Sequence, residues 1–502
     1  YWDVESLIGT RVYLKIVDSH TGGWGHINVD DIRELSAEEE QARAEHLARR
    51  EERYRRWLAG VDAPSKKIVY SGDTAGDVAM PLGGIGSGHV SICGDGAVRQ
   101  WQIFNRVNDA CVVPDSFFAI RAKAGSGRAV CRLLRQSPVG DLPHVRRVEF
   151  VGEYPVAELT FEDSDLPVSV KMRTFSPHIP MNSKDSAIPA AVFEFAIENR
   201  GRETVEVSLL STLQNAAGYD GVSAIHGVWN RAYGGNVNSP LSLGSLRGVV
   251  MSNPLLKRDA RQFGTMALGA MSRNAAVTAQ WSDPWALWRD FCADGEINTA
   301  GRVGPSKPGH TWNAAITVPL TLRPSQRAVV PFIWTWSFPN NYVWWDDREG
   351  QPRIGRMYSN WFEDAGKALE YVAANYRRLA ADTELFRRTF YKTTLPYWML
   401  GRISAQSSTL ASQVCMWLED GTFAGFEGSG CCPMNCAHVW NYEQQMAFLF
   451  PTLERNMRRT DLFVQQMENG AVRHRTRLPV TLPRESGPFV DGHLGTILKC
   501  YR

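Results

Sequence analysis

No apolar run in this chain reaches the length of about 18 residues that would suggest a membrane span. Nor is there an excess of charge of one sign: Lys and Arg number 55 against 53 Asp and Glu, a formal net charge of +2. That leaves no electrostatic case for a nucleic-acid partner, whose phosphates call for a basic face. The nine cysteines among 502 residues are odd in number and mostly far apart, unlike the dense framework of a small disulfide scaffold. A starting Met is missing as well. The chain opens on Tyr1 inside a strand-like pattern and stops at Lys499-Cys500-Tyr501-Arg502. It reads as a fragment or a processed piece, so the lack of a signal peptide says nothing about location.

What is there divides into four textures. Five hundred residues suggest roughly three domains at ~150 residues each. Val12, Leu14 and Ile16 alternate with Arg11, Tyr13 and Lys15, the period of a half-buried strand. A Thr21-Gly22-Gly23 turn and the run Trp24 to Ile32 follow. Residues 1–34 resemble the last strands of β-sandwich modules attached to many secreted carbohydrate-active enzymes. Such an appended module favours a secreted or periplasmic location over a cytoplasmic one. Residues 35–66 then read as a charged linker helix. Ser36 and Glu39 have the spacing of a capping box. Glu39/Arg43, Glu45/Arg49, Glu51/Arg55 and Glu52/Arg56 place the acid four residues ahead of the base.

From 67 to 345 short apolar or alternating runs are separated by Gly, Pro, Asn and Asp. Ala190–Ile197, Val205–Leu210 and Ala315–Leu322 are the clearest, and the Trp334-Thr335-Trp336 cluster closes the region. This is the pattern of a large β-sandwich. After 346 the period turns helical. Tyr358, Phe362, Ala365, Leu369 and Val372 recur at three and four, as do Leu379, Leu385 and Phe386. Val439, Tyr442, Met446 and Leu449 form a further stripe that ends at Pro451.

Three motifs carry possible chemistry. Pro81 to Gly88 is glycine-rich, but it has no Lys-Ser/Thr ending, and His89 stands where a dinucleotide fingerprint needs its third glycine. It reads as a close-packed turn. Cys431, Cys432, Cys436 and His438 have ligand chemistry without the paired Cys-x2–4-Cys units of a zinc site. They read as small buried residues lining a turn, with room for one disulfide, and no metal or other cofactor is expected. Glu427 lies in Phe426-Glu427-Gly428-Ser429-Gly430, where a flexible turn can present a carboxylate to a pocket. Tyr442 and Trp440, two apart on a helix, cannot share a face. Tyr442 is assigned to the pocket and Trp440 to the core.

The segments Met80–Gly88, Val98–Asn105, Asp382-Thr383, Thr394–Pro396, Asp420–Phe423, Phe426–Tyr442, Phe450–Glu454 and Asp491–Gly495 resemble, in order, glycoside hydrolase family 116. That group includes non-lysosomal glucosylceramidase and microbial β-glucosidases. The resemblance implies a β-sandwich followed by an (α/α)6 toroid, here incomplete over 346–502. It implies a retaining exo-β-glycosidase acting on a carbohydrate or glycoside, with β-glucosides the first guess. Glu427 matches the family's nucleophile and Asn435 its Asn eight residues later. Cys436-Ala437-His438-Val439 replaces the family's Thr-Tyr-Asp-Val, so His438 takes the place of a sugar-binding Asp. His474, followed by Arg475 where the family has Asp, is the nearest match to a second sugar-binding group. The acid/base, an Asp downstream in the family, is expected beyond Arg502, so the 502-residue piece alone is expected to be inactive. The alternative reading is a carbohydrate-binding or scaffold protein that keeps the fold without catalysis. A phosphorylase or lyase would need an anion site, for which Arg473, Arg475 and Arg477 are the nearby candidates.

Overall fold

The alternating runs become strands because each carries one apolar face that must meet another, and two such sheets can bury each other. The computed structural model describes residues 5–13, 15–17, 36–60, 66–297, 304–343, 345, 351–428, 431–481 and 486–502. The chain divides into two units, Tyr1–Ser65 and Lys66–Arg502.

In the first unit the described residues 11–13 and 15–17 are exposed and outside any strand. Leu14, the Thr21-Gly22-Gly23 turn and the Trp24–Ile32 run lie outside the described residues. Helix α1 (Ala37–Gly60) does form. Its capping box is reciprocal: the Ser36 N–H donates to Glu39 at 2.9 Å, and the Glu39 N–H donates to Ser36 Oγ at 3.2 Å. Glu45–Arg49, Glu51–Arg55 and Glu52–Arg56 pair along it.

In the second unit a nine-stranded sheet has the order Tyr70–Ser71, Arg147–Glu153, Val156–Glu162, Ser169–Phe175, Ala190–Glu198, Arg327–Ser337, Thr265–Met271, Leu246–Ser252, Val237–Leu243. A five-stranded sheet runs Ala276–Trp281, Asn313–Leu322, Val205–Gln214, Phe118–Ala124, Val130–Leu133. Their facing side chains share one core. Phe118 of the smaller sheet meets Phe193 and Trp334 of the larger at 4.8 and 5.1 Å between ring centres. A short helix, α2 (Pro284–Asp294), is capped by Asp283 and covers the smaller sheet with Leu287, Trp288 and Phe291.

Helix α3 (Ala365–Tyr391) lies on the larger sheet. Leu369 sits where Gly248 and Gly269 leave room: a Cβ on Gly269 would come within 2.8 Å of it. Thr335 Oγ1 donates to the Ala365 carbonyl at 2.7 Å. Tyr358, Phe362, Ala365, Leu369, Val372 and Leu379 are buried as their period requires, whereas Leu385 is exposed. There follow α4 (Tyr397–Ser407), the hairpin Cys415–Trp417/Phe423–Gly425, α5 (Ala437–Trp440), α6 (Met446–Leu449), α7 (Pro451–Arg459), a π turn over Thr460–Gln465, and α8 (Val490–Tyr501). The stripe expected as one helix from Val439 to Leu449 is two short helices. The Glu443 carboxylate accepts the N–H groups of Gln445 and Met446 at 2.8 and 3.2 Å. It thereby caps a new start at α6.

The glycine-rich turn is a junction. Gly83 and Gly84 pass so close to Gly88 and Ala187 that a Cβ on either would fall within 2.3 Å of backbone. Gly86, at φ +66°, abuts the backbone of Trp417. Its carbonyl accepts from Arg356, a fully buried guanidinium that also donates to Asn105 and Gln413.

Candidate active site

Glu427 follows a buried anchor. Phe426 is 2% exposed among Val343, Met416, Met434 and Leu478, and its N–H donates to the Val414 carbonyl at 2.7 Å. The chain bends after this anchor, just past the strand Phe423–Gly425, and Glu427 faces outward. Its side chain is exposed and lines a cleft of about 470 Å³ with Arg402, Gln406, Trp440, Tyr442 and Glu443. Trp440, assigned to the core, is buried there but also forms the apolar floor of this cleft beside Tyr442, because α5 ends at Trp440 and the helical spacing does not extend to Tyr442; its indole N–H is directed at Met457 Sδ at 3.2 Å. Tyr442 stands 73% exposed at the rim.

The turn after Glu427 is held in a rarely populated backbone conformation. Cys432, Met434 and Asn435 have φ of +44°, +52° and +52°. Asn435 tolerates this better than most residues, and its side chain secures it. Oδ1 accepts the Gly425 N–H at 2.9 Å, Nδ2 donates to the Phe423 carbonyl at 3.4 Å, and its own N–H donates to Gly425 at 2.8 Å. Asn435 is therefore buried with its amide spent on the strand that leads to Glu427.

The two histidines gather elsewhere. His438 Nδ1 pairs with the Asp491 carboxylate at the start of α8 and meets Phe489 edge-on at 5.7 Å. That pairing, with a backbone N–H bond, holds the exposed Asp491 carboxyl below its ordinary range. His474 stacks on the same Phe489 at 3.9 Å and is bonded through Nδ1 to the Gly487 carbonyl at 2.7 Å. The structure thus brings Glu427 and Tyr442 to one cleft and places His438 and His474 around Phe489. The candidate anion cluster is split: Arg473 donates to the Gln465 carbonyl and Arg475 to Cys432 Sγ, each at 3.4 Å.

The cysteines are all free thiols, and they depart from the expected buried lining. Cys436 and Cys415 are buried, but Cys431 is exposed and Cys432 half-buried. Cys431 Sγ lies 3.4 Å from Glu427 Oε2 and 3.7 Å from Cys432 Sγ.

Glu443 escapes a reading based on motifs. It shares the cleft with Glu427, and burial raises its carboxyl above the ordinary range despite Lys499 4.0 Å away. Only its position three residues ahead of the apolar run that starts at Met446 hinted at a capping role. Behind it lies a buried ionic group. Arg458 reaches Glu454 at 3.2 Å and Asp461 at 3.0 Å, and Lys499 of α8 reaches Glu454 at 3.8 Å. Burial lifts the Asp461 carboxyl to about 6, against the pull of Arg458 and Lys499.

The sequence model of the family described as "beta-glucosidase 2, glycosyl-hydrolase family 116 N-term" matches residues 79–379. The chain belongs to glycosyl-hydrolase family 116. The match covers the sandwich apart from its edge strand Tyr70–Ser71, and the first half of α3, of this family 116 chain and ends before Glu427. A curated protein of Aspergillus rugulosus, "Putative glycosyl hydrolase ecdE", is 58% identical over 31 residues, which is 6% of this chain and 4% of that protein. Among solved structures, a "Putative kojibiose phosphorylase from human microbiome" matches 86% of this chain and 49% of its own length at 11% identity and a TM-score of 0.36. The GH92 α-mannosidase BT3965 from Bacteroides thetaiotaomicron matches 78% of this chain and 48% of its own at 11% identity and a TM-score of 0.32. The family 116 chain therefore spans about half the length of these structural neighbours, and at these scores neither bears on what it does.

Proposed function

We propose that this family 116 chain belongs to a retaining exo-β-glycosidase, with β-glucosides the first substrate class, and that Glu427 is its nucleophile. One observation carries the reading. Glu427 is a carboxylate presented from a strained, doubly anchored turn into a cleft floored by Trp440 and rimmed by Tyr442. Strained turns of this kind persist where function holds them. Aromatic rings beside a carboxylate suit a pyranose, whose C–H face stacks while its anomeric carbon meets the oxygen.

In this mechanism Glu427 attacks the anomeric carbon and forms a glycosyl ester as the aglycone leaves. A second carboxyl, about 5–5.5 Å away, protonates the leaving oxygen and then activates water. Glu443 does not serve, since its oxygens hold the start of α6. The resemblance assigns the acid to an Asp downstream of Glu427. Asn435 is a positioning residue through the strand that it holds. His438, paired with Asp491, would reach a sugar hydroxyl only from the α8 side of the site. We place this chemistry on a sandwich followed by an (α/α)6 toroid, reached by export from the cell.

The test is a 2-deoxy-2-fluoro-β-glucoside applied to the full-length protein, followed by peptide mapping. A stable adduct on the Glu427 peptide is expected. Glu427→Gln should lose the adduct and at least about a thousandfold in kcat, the scale on which removal of a covalent nucleophile acts. An adduct elsewhere, or none despite turnover, overturns the assignment. Sugar binding without turnover would instead favour a carbohydrate-binding role, to which the structural use of Glu443 lends support.

A further inference from the structure

The thiols beside Glu427 are spaced as metal ligands are. Zinc holds thiolate sulfur at about 2.3 Å and carboxylate oxygen at about 2.0–2.2 Å in a tetrahedron. A regular tetrahedron with those arms has sulfur–sulfur edges of about 3.8 Å and sulfur–oxygen edges of about 3.5–3.7 Å. Cys431 Sγ to Cys432 Sγ is 3.7 Å, and Cys431 Sγ to Glu427 Oε2 is 3.4 Å. The three donor atoms all lie within 4.8 Å of one another. Adjacent cysteines normally diverge along a strand. Here the positive φ of Cys432 turns its side chain back toward that of Cys431.

The charges close as well. Two thiolates and one carboxylate carry −3, a divalent ion brings −1, and Arg475, whose guanidinium donates to Cys432 Sγ at 3.4 Å, brings neutrality. Arg475 Nε is also buried and has no hydrogen-bond partner among the described residues. Thiolates formed on metal binding would offer it one.

We propose that Glu427, Cys431 and Cys432 form a capture site for a thiophilic divalent cation such as Zn²⁺ or Cd²⁺, and that the ion inhibits the enzyme by occupying Glu427. Each thiol loses its proton to solvent as its sulfur–metal bond forms. One ion therefore releases two protons, and no electron moves. Cys436 and His438, the other residues of the motif with ligand chemistry, take no part: Cys436 is buried and His438 belongs to Asp491. The inhibitory consequence rests on the reading of Glu427 as nucleophile, whereas the binding does not.

The experiment is a Cd²⁺ titration of the reduced protein, followed by the ultraviolet cadmium–thiolate charge-transfer band and by proton release. One equivalent of Cd²⁺, about two protons released, competition by Zn²⁺, and loss of the band in the Cys431→Ser/Cys432→Ser double variant are expected. Glu427→Gln should weaken binding at least about tenfold. No band in the parent protein, or a band that survives in the double variant, overturns the site. In the full-length enzyme Zn²⁺ should lower the rate of the parent far more than that of the double variant, each compared with its own metal-free rate. A labelled, active enzyme that binds no Cd²⁺ would sink this inference and leave the proposed function standing. Cd²⁺ bound through Glu427 in a protein that takes no glycosyl label would do the reverse.

Discussion

At the scale of the residue, the site depends on a side chain that never enters the cleft. Asn435 accepts a positive φ and pairs its amide with the strand before Glu427. Asn435→Ala would strain the backbone and orphan a buried N–H and a buried carbonyl. A loss of about 2–4 kcal/mol in urea denaturation is expected. Asn435→Asp, which keeps the acceptor, should lose less. The sequence singles out Glu427 and Asn435 by a resemblance and a spacing. That Asn435 would spend its amide on Phe423 and Gly425 was not, because a side chain's partner depends on how the turn folds back. His438 shows the same limit. Its partner Asp491 lies 53 residues away, and the α8 helix that brings it there leaves no mark in the local motif.

At the scale of the element, periodicity read well where one face is buried against one neighbour. The β-then-α order, the buried face of α3 and the capping box of α1 all follow from such local patterns. It read poorly where a side chain cuts the backbone ladder. The Val439–Leu449 stripe has perfect helical spacing, yet Glu443 caps a fresh start at Gln445 and Met446 and splits it. Alternation alone also does not make a strand: the described residues 11–13 and 15–17 are outside any strand, and a ladder needs a partner that the period cannot supply. Helix α3 gives a direct check on packing. Leu369→Ala would empty the space over Gly248 and Gly269 and should cost about 2–5 kcal/mol, read as a lower denaturation midpoint with the slope unchanged.

At the scale of the whole molecule, buried carboxyls set the response to pH. Burial raises Asp115 to about 6, and Asn313 only partly offsets this with a 3.0 Å bond. Below about pH 4 the group is protonated folded and unfolded, and nothing is lost. Between about 4 and 6 the unfolded chain ionises while the folded one keeps its proton, so stability falls as pH rises through that window. Asp115→Asn retains an acceptor for Asn313 and suits the positive φ at this position. It should match the parent near pH 4 and exceed it at pH 7 by up to about 3 kcal/mol, measured as urea midpoints across the range.

The junction at the glycine-rich turn has a consequence for modularity. The matched family region stops at residue 379, as though the sandwich were a detachable part. Yet Gly86 rests on the backbone of Trp417, and the guanidinium of Arg356 is shared between the Gly86 carbonyl and Gln413. Trimmed at that border, the sandwich would keep a buried cation and lose one of the groups that neutralise its demand for acceptors. The border of the family is a border of description, and the smallest autonomous piece of this fold reaches at least to the hairpin beside Glu427.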